Sequence, residues 1–340
     1  MYEKIINRLA SRKGNLVLVS DEFVFELHTQ NISKQLRGKS AKVIEYKIAV
    51  GERSKSFDSY LNFINFLFQS NVKKNDTLVA VGGGVTSDLV GFVATTYMRG
   101  IEFVFIPTTL MAMVDAANGG KNGINLDHGK NLVGTTSLPF EIIFDKIFLQ
   151  TLSSEVYLEG FMEIIKYGLI FDKDFFLDLV KGQMAESKMI ERSIQIKNQI
   201  CSLDPEDFST RRILNFGHTI GHGLEKMFDY EISHGKAIFF GMILEAHISF
   251  QKRYLALEEL DFVKNYFLSV GKGFLSISNI DPNLLWSHMQ FDKKNEFEKV
   301  RCVVLKRIGK CVTFSGNFCT YLSFNELANS LNWLKNKFLI

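Results

Sequence analysis

The feature that most constrains this chain is an alternation, before residue 110, of short apolar runs with segments of helical period. Asn15–Ser20 is apolar and ends at Asp21, and a helix-like stretch follows through Leu27 and Ile32. Val43–Val50 reads as the next strand, and 57–69 carries Tyr60, Phe63, Ile64 and Leu67 at helical spacing. Thr77–Val81 then runs straight into Gly82-Gly83-Gly84, and Ile101–Ile106 ends at Pro107. Runs that stay apolar, separated by amphipathic helices, predict a parallel Rossmann-like sheet covered on both faces.

Beyond about residue 150 the period changes. Helical spacing fills 154–170, 173–200, 217–229, 236–254, 257–270 and 324–338. Strand signals are confined to 299–314, where Val300–Leu305 and Lys310–Phe314 flank Gly309. The 340 residues exceed one ordinary core. The expectation is an α/β domain over 1–150 and a mostly helical domain with one small β-hairpin over 151–340, the boundary falling between Asp145 and Thr151.

Bulk properties exclude several classes. A net charge of +3, with basic residues spread along the chain, gives no nucleic-acid footprint; Lys73-Lys74 and Asp292-Lys293-Lys294 are too short for one. The 31 phenylalanines sit at core-like spacings and form no repeat. Cys201, Cys302, Cys311 and Cys319 form no CxxC pair, so free thiols are expected. The first residues lack the apolar core of a signal peptide, and no run reaches the length of a membrane helix. A cytoplasmic protein is the expectation.

Three segments carry chemistry. Gly82–Asp88 follows a strand and opens a helix, where bare backbone N–H groups and the helix dipole suit a pyrophosphate. A tight strand–helix turn would use the same glycines. Residues 119–131 contain Lys121-Asn122 and Lys130-Asn131 among four glycines just after Asp115, a composition suited to a loop that wraps an anion. A plain hairpin would explain the glycines but not the Lys-Asn pairs. Finally, His218 and His222 stand at i and i+4 on one helix face, His234 follows, and Glu163 interrupts an apolar helical side. One carboxylate with two imidazoles is a recurrent metal set that leaves a position open for substrate. His28, His247 and His288 lie in helical stretches without such partners, and His128 is a loop residue.

These motifs, in this order, resemble the 3-dehydroquinate synthase family of the sugar-phosphate cyclase superfamily. The resemblance runs from about Asp21 to Asp292-Lys293-Lys294. It rests on Gly82-Gly83-Gly84 with Asp88, Tyr97–Gly100, Pro107–Leu110, Val114-Asp115 with Gly119-Gly120-Lys121, Gly129-Lys130-Asn131, Glu163–Gly168, Asn215–His222 and His234-Gly235. It implies catalytic use of NAD with a zinc or cobalt ion on a sugar acid phosphate, with NAD and the ion expected in a cleft between the α/β and helical domains. The implied order is oxidation of a ring hydroxyl, elimination of phosphate, reduction, ring opening and intramolecular aldol closure. Glu163, His218 and His234 would be the metal ligands. Lys121, Asn131, Asn215 and His222 would surround the phosphate, with Lys293 or Lys294 closing over it. Asp115, Lys130 and Lys166 would bind hydroxyls and tune proton transfers. Asp21, Glu52, Lys55, Gly83, Gly84, Asp88, Thr108, Thr109, Lys130 and Thr151 would contact NAD. Arg99 would reach a neighbouring subunit's site, which implies a homodimer.

Lys197 and Arg211 stand where the synthase pairs the substrate carboxylate, whereas a relative such as 2-deoxy-scyllo-inosose synthase takes a substrate with no carboxylate. A buried carboxylate needs cationic partners, so the two favour the acid substrate. A metal-dependent polyol dehydrogenase, the other alternative, would leave Lys121, Asn131 and His222 without purpose. Phe23, Asn118, Asn122, Asp207 and Lys236 depart from the family pattern.

Overall fold

All four early apolar runs become strands: β1 (Leu16–Asp21), β2 (Val43–Ile48), β3 (Thr77–Gly82) and β4 (Glu102–Pro107). The computed structural model describes residues 2–39, 42–126, 129–274, 280–290 and 299–338. Two compact units divide at Tyr157/Leu158.

In the first unit, β5 (Lys121–Leu126) and β6 (Gly129–Thr136) form a separate ladder, and β7 (Glu141–Ile142) completes a parallel sheet of order β2-β1-β3-β4-β7. β3 is buried along its whole length and β1 up to Asp21. Helices cover both faces of these central strands, so every position faces core and no polar alternation is needed. From β1 the chain passes outward to β2, then returns to β3 on the other side of β1. The strand order therefore reverses beside β1, and the loops after β1 and β3 diverge there. Crevices of this kind at the carboxyl ends of strands are where open α/β sheets bind ligands.

The 119–131 segment differs from the anion-wrapping loop that its composition predicts. Lys121↔Thr136 through Leu126↔Gly129 form an antiparallel ladder with an irregularity after Ile124. A Cβ on Gly134 would strike the Asn122 carbonyl oxygen, and one on Gly123 would lie 2.6 Å from the Val133 oxygen. Those two glycines thus permit close strand approach, while Gly119 (φ 123°) and Gly120 (φ 70°) make the turn that enters β5.

In the second unit the expected helix over 173–200 is two helices, Lys173–Lys181 and Glu186–Leu203. Gly182 separates them in the left-handed conformation (φ 65°), where a side chain would be strained. The late hairpin also differs. Residues 300–305 divide into β8 (Arg301–Val303), which pairs with β11 (Cys319–Tyr321), and β9 (Leu305–Arg307), which pairs with β10 (Lys310–Cys311). A helix over Pro282–Gln290 had no clear period in the sequence. The cysteines are free; Cys302 and Cys311 are fully buried, and desolvation raises both thiol pKa values above the ordinary range. Among the described residues no helix is long and apolar enough to cross a membrane.

The helix His234–Gln251 is buried from Ala237 to Ser249 and packs against His218–Met227. Glycines set that approach: a Cβ on Gly241 would strike the Gly217 carbonyl, and one on Gly221 would lie 2.7 Å from Ile238. Close packing of these two helices is what brings His234 to the His218–His222 pair.

Candidate functional site

His218 begins its helix after Gly217, whose left-handed backbone (φ 79°) turns the chain and whose N–H donates to the buried Glu245 carboxylate at 2.8 Å. His222 follows one turn later, so both imidazoles share a face. Ser233 caps the helix that begins at His234, accepting from Lys236 N–H at 3.4 Å. The result is a histidine trio, with ring centroids 5.4 Å apart for His218–His222 and His218–His234, and 6.0 Å for His222–His234.

Glu163 enters this group from the helix Ser154–Ile170 and is 1% exposed. One carboxylate oxygen, Oε2, accepts from Lys166 Nζ one turn along the same helix. The other, Oε1, lies 3.5 Å from His218 Nε2 and 3.9 Å from His234 Nε2 and accepts no hydrogen bond among the described residues. One ligand atom from each of Glu163, His218 and His234 lies within 4.8 Å of the others. A buried carboxylate oxygen without a hydrogen bond carries a desolvation penalty that a cation would offset. The donors, one oxygen and two nitrogens, suit a borderline divalent ion such as zinc. The residues fit the metal.

Two more predicted residues, Lys197 and Arg211, are each 6% exposed. They come from the helix Glu186–Leu203 and the 3-10 helix Thr210–Asn215, which pack on each other. Asp204 organises the Arg211 loop. Its carboxylate accepts from the backbone N–H of Phe208 (3.0 Å), Ser209 (2.6 Å) and Arg211 (3.0 Å). Burial alone would raise the Asp204 pKa, but these hydrogen bonds outweigh it and hold it below the ordinary value. Asn215 ends that 3-10 helix, two residues before Gly217.

In the first unit, Asp21 ends β1 and its Oδ1 accepts from Val24 N–H at 2.9 Å, capping the next helix. Gly83 precedes the helix Gly84–Thr96 with no side-chain cap. A Cβ on Gly83 would meet Thr109 at 3.3 Å, and one on Gly84 would meet Ala116 at 3.2 Å. Thr108, which is buried, donates its N–H to the Gly82 carbonyl at 3.0 Å, joining the ends of β3 and β4. A bare helix N-terminus beside this closed turn fits a pyrophosphate.

Four further predicted residues form one network. The buried Lys55 ammonium lies 2.5 Å from Asp88 Oδ2, donates to Asn131 Oδ1 and stands 3.9 Å from Glu52 Oε1. Asn131 has a left-handed backbone (φ 55°). Asp115 lies in the π-helical turn Ala112–Ala116, Lys121 opens β5 and Lys130 lies on β6. Met98 and Arg99 are consecutive left-handed residues (φ 49° and 62°) and both are exposed. Thr151 Oγ1 lies 2.9 Å from Nε2 of the buried His28. Lys293 and Lys294 lie outside the described residues.

Sequence reasoning missed several supports. Asn125 sits inside the glycine-rich segment, yet its role emerges only in space: its side chain accepts from Asn131 N–H at 2.9 Å and donates to Glu52 at 2.8 Å. Glu225 is a buried carboxylate on the helix face of His218 and His222, and Glu245 one in an otherwise apolar helix; neither segment by itself shows what its carboxylate supports. The departures Asn118 and Asn122 serve the turn. They donate to the carbonyls of Met113 (2.7 Å) and of Gly120 and Ser137 (3.1 and 2.9 Å).

A family profile described as 3-dehydroquinate synthase N-terminal matches residues 45–159, and one described as 3-dehydroquinate synthase C-terminal matches 160–295. The chain belongs to the 3-dehydroquinate synthase family. A 3-dehydroquinate synthase of Caldanaerobacter subterraneus subsp. tengcongensis is 35% identical over 308 residues, 88% of this chain and 86% of that protein. Among solved structures, 2-epi-5-epi-valiolone synthase from Streptomyces hygroscopicus subsp. jinggangensis, with NAD+ and Zn2+ bound, superposes with a TM-score of 0.86 at 24% identity, covering 98% of this chain and 93% of that one. A 2-deoxy-scyllo-inosose synthase complexed with carbaglucose-6-phosphate, NAD+ and Co2+ gives 0.85 at 22% identity, covering 96% and 93%. These two likenesses show a shared fold. The synthase relatives are enzymes, and so is this family member.

Proposed function

We propose that this chain is a 3-dehydroquinate synthase, converting 3-deoxy-D-arabino-heptulosonate 7-phosphate to 3-dehydroquinate and phosphate with NAD and one divalent cation. The observation that carries the reading is the convergence of His218 and His234 Nε2 on the buried Glu163 oxygen that accepts no hydrogen bond among the described residues. Glu163, His218 and His234 would hold the cation. When bound, NAD supplies reversible oxidation of one ring hydroxyl, and the cation supplies Lewis acidity at the substrate oxygens.

The remaining work falls to the chain's own side chains. Gly83 and Gly84 leave backbone N–H groups bare at a helix start, and these bind pyrophosphate. Asp21, Glu52, Lys55, Asp88, Thr108, Thr109, Lys130 and Thr151 position the rest of the nucleotide. Lys197 and Arg211 bind the substrate carboxylate; two buried cations on neighbouring elements support this, because a relative without an acid substrate would have little use for both. Asn215, His222, Lys121 and Asn131 bind the phosphate ester, whose departure removes negative charge that cationic and amide donors stabilise. Lys166, held by Glu163, and Asp115 orient hydroxyl groups and hold protons near them. Arg99, displayed by two consecutive left-handed residues, would act on a second copy of the chain in a homodimer.

Purified protein incubated with the heptulosonate phosphate, NAD and zinc should release phosphate with no net NADH, and glucose 6-phosphate should release none. Net NADH accumulation would point instead to a polyol dehydrogenase, and turnover of glucose 6-phosphate to a different cyclase.

A further inference from the structure

We infer that Glu225 is the positioning residue of the metal centre, fixing His234 in the one tautomer that can ligate. The inference rests on the metal-site reading above and concerns a residue outside its ligand set.

A neutral imidazole has one proton and one lone pair. To ligate through Nε2, His234 must keep its proton on Nδ1, and that N–H needs an acceptor. Nε2 of His234 lies 3.9 Å from Glu163 Oε1, while Nδ1 lies 3.4 Å from Glu225 Oε2. His218 repeats the arrangement. Its Nε2 faces the same Glu163 oxygen at 3.5 Å, and its Nδ1 lies 3.1 Å from the Phe216 carbonyl. A carbonyl can only accept, so it fixes His218 as the Nδ1–H form. A carboxylate does the same for His234, and its charge also makes the ring a stronger donor.

The placement is built, not incidental. Glu225 is 2% exposed and stands seven residues after His218, two turns along one helix face with His222 between them. Burying a carboxylate there is costly unless something uses it. Ligand atoms of His222, Glu225 and His234 also lie within 4.8 Å of one another, so a rival set exists that shares His234. The buried Glu163 oxygen, approached by two Nε2 atoms and by no hydrogen bond among the described residues, favours the first set and leaves Glu225 as the support.

The test is Zn2+ affinity of the full-length protein, stripped of metal and titrated against a competing chelator, with melting of the metal-free protein as the control for folding. E225A should weaken Zn2+ binding by about 10–100-fold. E225Q keeps the shape and an acceptor oxygen, so it should lose less, about 3–10-fold, with metal-free melting close to the parent. In an H234A background, E225Q should cause no further loss, because the support acts through that ring.

Parent-like affinity in both E225A and E225Q would overturn the inference, as would an E225Q loss of equal size with and without His234. Losses in H222A and E225A with E163A unaffected would move the ion to the rival set and overturn it too. No Zn2+ binding by the parent protein would defeat the metal site itself; binding that Glu225 does not influence would defeat only this inference.

Discussion

Replacing Glu163 with Gln separates two roles that one buried carboxylate plays. Glu163 and Lys166 are each 1% exposed and ion-paired, so the substitution leaves an ammonium in a site with no compensating charge from that partner. Breaking a buried pair by removing one member costs about 3–5 kcal/mol. For a folding unit of 150–250 residues, each kcal/mol shifts the melting point by about 2–4 °C, so metal-free Glu163→Gln should melt about 6–20 °C lower. The second effect runs through ligand linkage. At one hundred times its Kd, zinc stabilises the parent by about 2.7 kcal/mol, a rise of about 5–11 °C. That rise should vanish in Glu163→Gln, because its amide lacks the charge of the only carboxylate in the set. The double variant Glu163→Gln/Lys166→Met should recover much of the metal-free stability while zinc still has no effect. The assay is thermal unfolding with and without zinc, in the absence of NAD. A Glu163→Gln protein whose melting point climbs with zinc as the parent's does would refute the assignment of this oxygen as a ligand.

Two further outcomes follow from the second unit. Arg211→Ala should weaken the acid substrate by about 30-fold or more, as expected when one partner of a buried charged pair is lost, with the NAD dissociation constant unchanged; equal losses in substrate and NAD binding would sink the carboxylate role. His247 is 7% exposed, stacks on Trp333 with centroids 4.3 Å apart and has Nδ1 2.9 Å from Ser330 Oγ; burial pushes its pKa down to about 4. The folded state then binds fewer protons than the unfolded one between about pH 6.5 and 4, so this contribution is present above pH 6.5 and is lost as the pH falls through that window. The loss is at most about 3 kcal/mol, and urea unfolding of His247→Gln should show a shallower decline than the parent between pH 7 and 4.5.

Much of the site was legible as residue types at fixed spacing. The i, i+4 histidines and a lone carboxylate in an apolar helix predicted a metal set because helical period is a local property. Gly82-Gly83-Gly84 after a buried run predicted a strand–turn–helix because glycines at that junction leave backbone N–H groups bare. The segment over 119–131 was harder. Its Gly123 reports close strand approach while Gly119 and Gly120 make a turn, and the sequence does not distinguish these uses until the partner strand is known. Glu225 and Asn125 were invisible as supports for the same reason. Each acts on a residue that its own position does not reveal, His234 in one case and Asn131 with Glu52 in the other.

Period and composition alone determined which segments become buried strands or amphipathic helices, because burial on one face or two leaves a local imprint. Tertiary structure alone decided that β3 returns beside β1, that glycines let two helices touch closely enough to bring His234 to the His218–His222 pair, and that one oxygen of Glu163 meets two nitrogens. Those are distances between parts of the chain far apart in sequence, and they are fixed by packing, which no single segment encodes by itself.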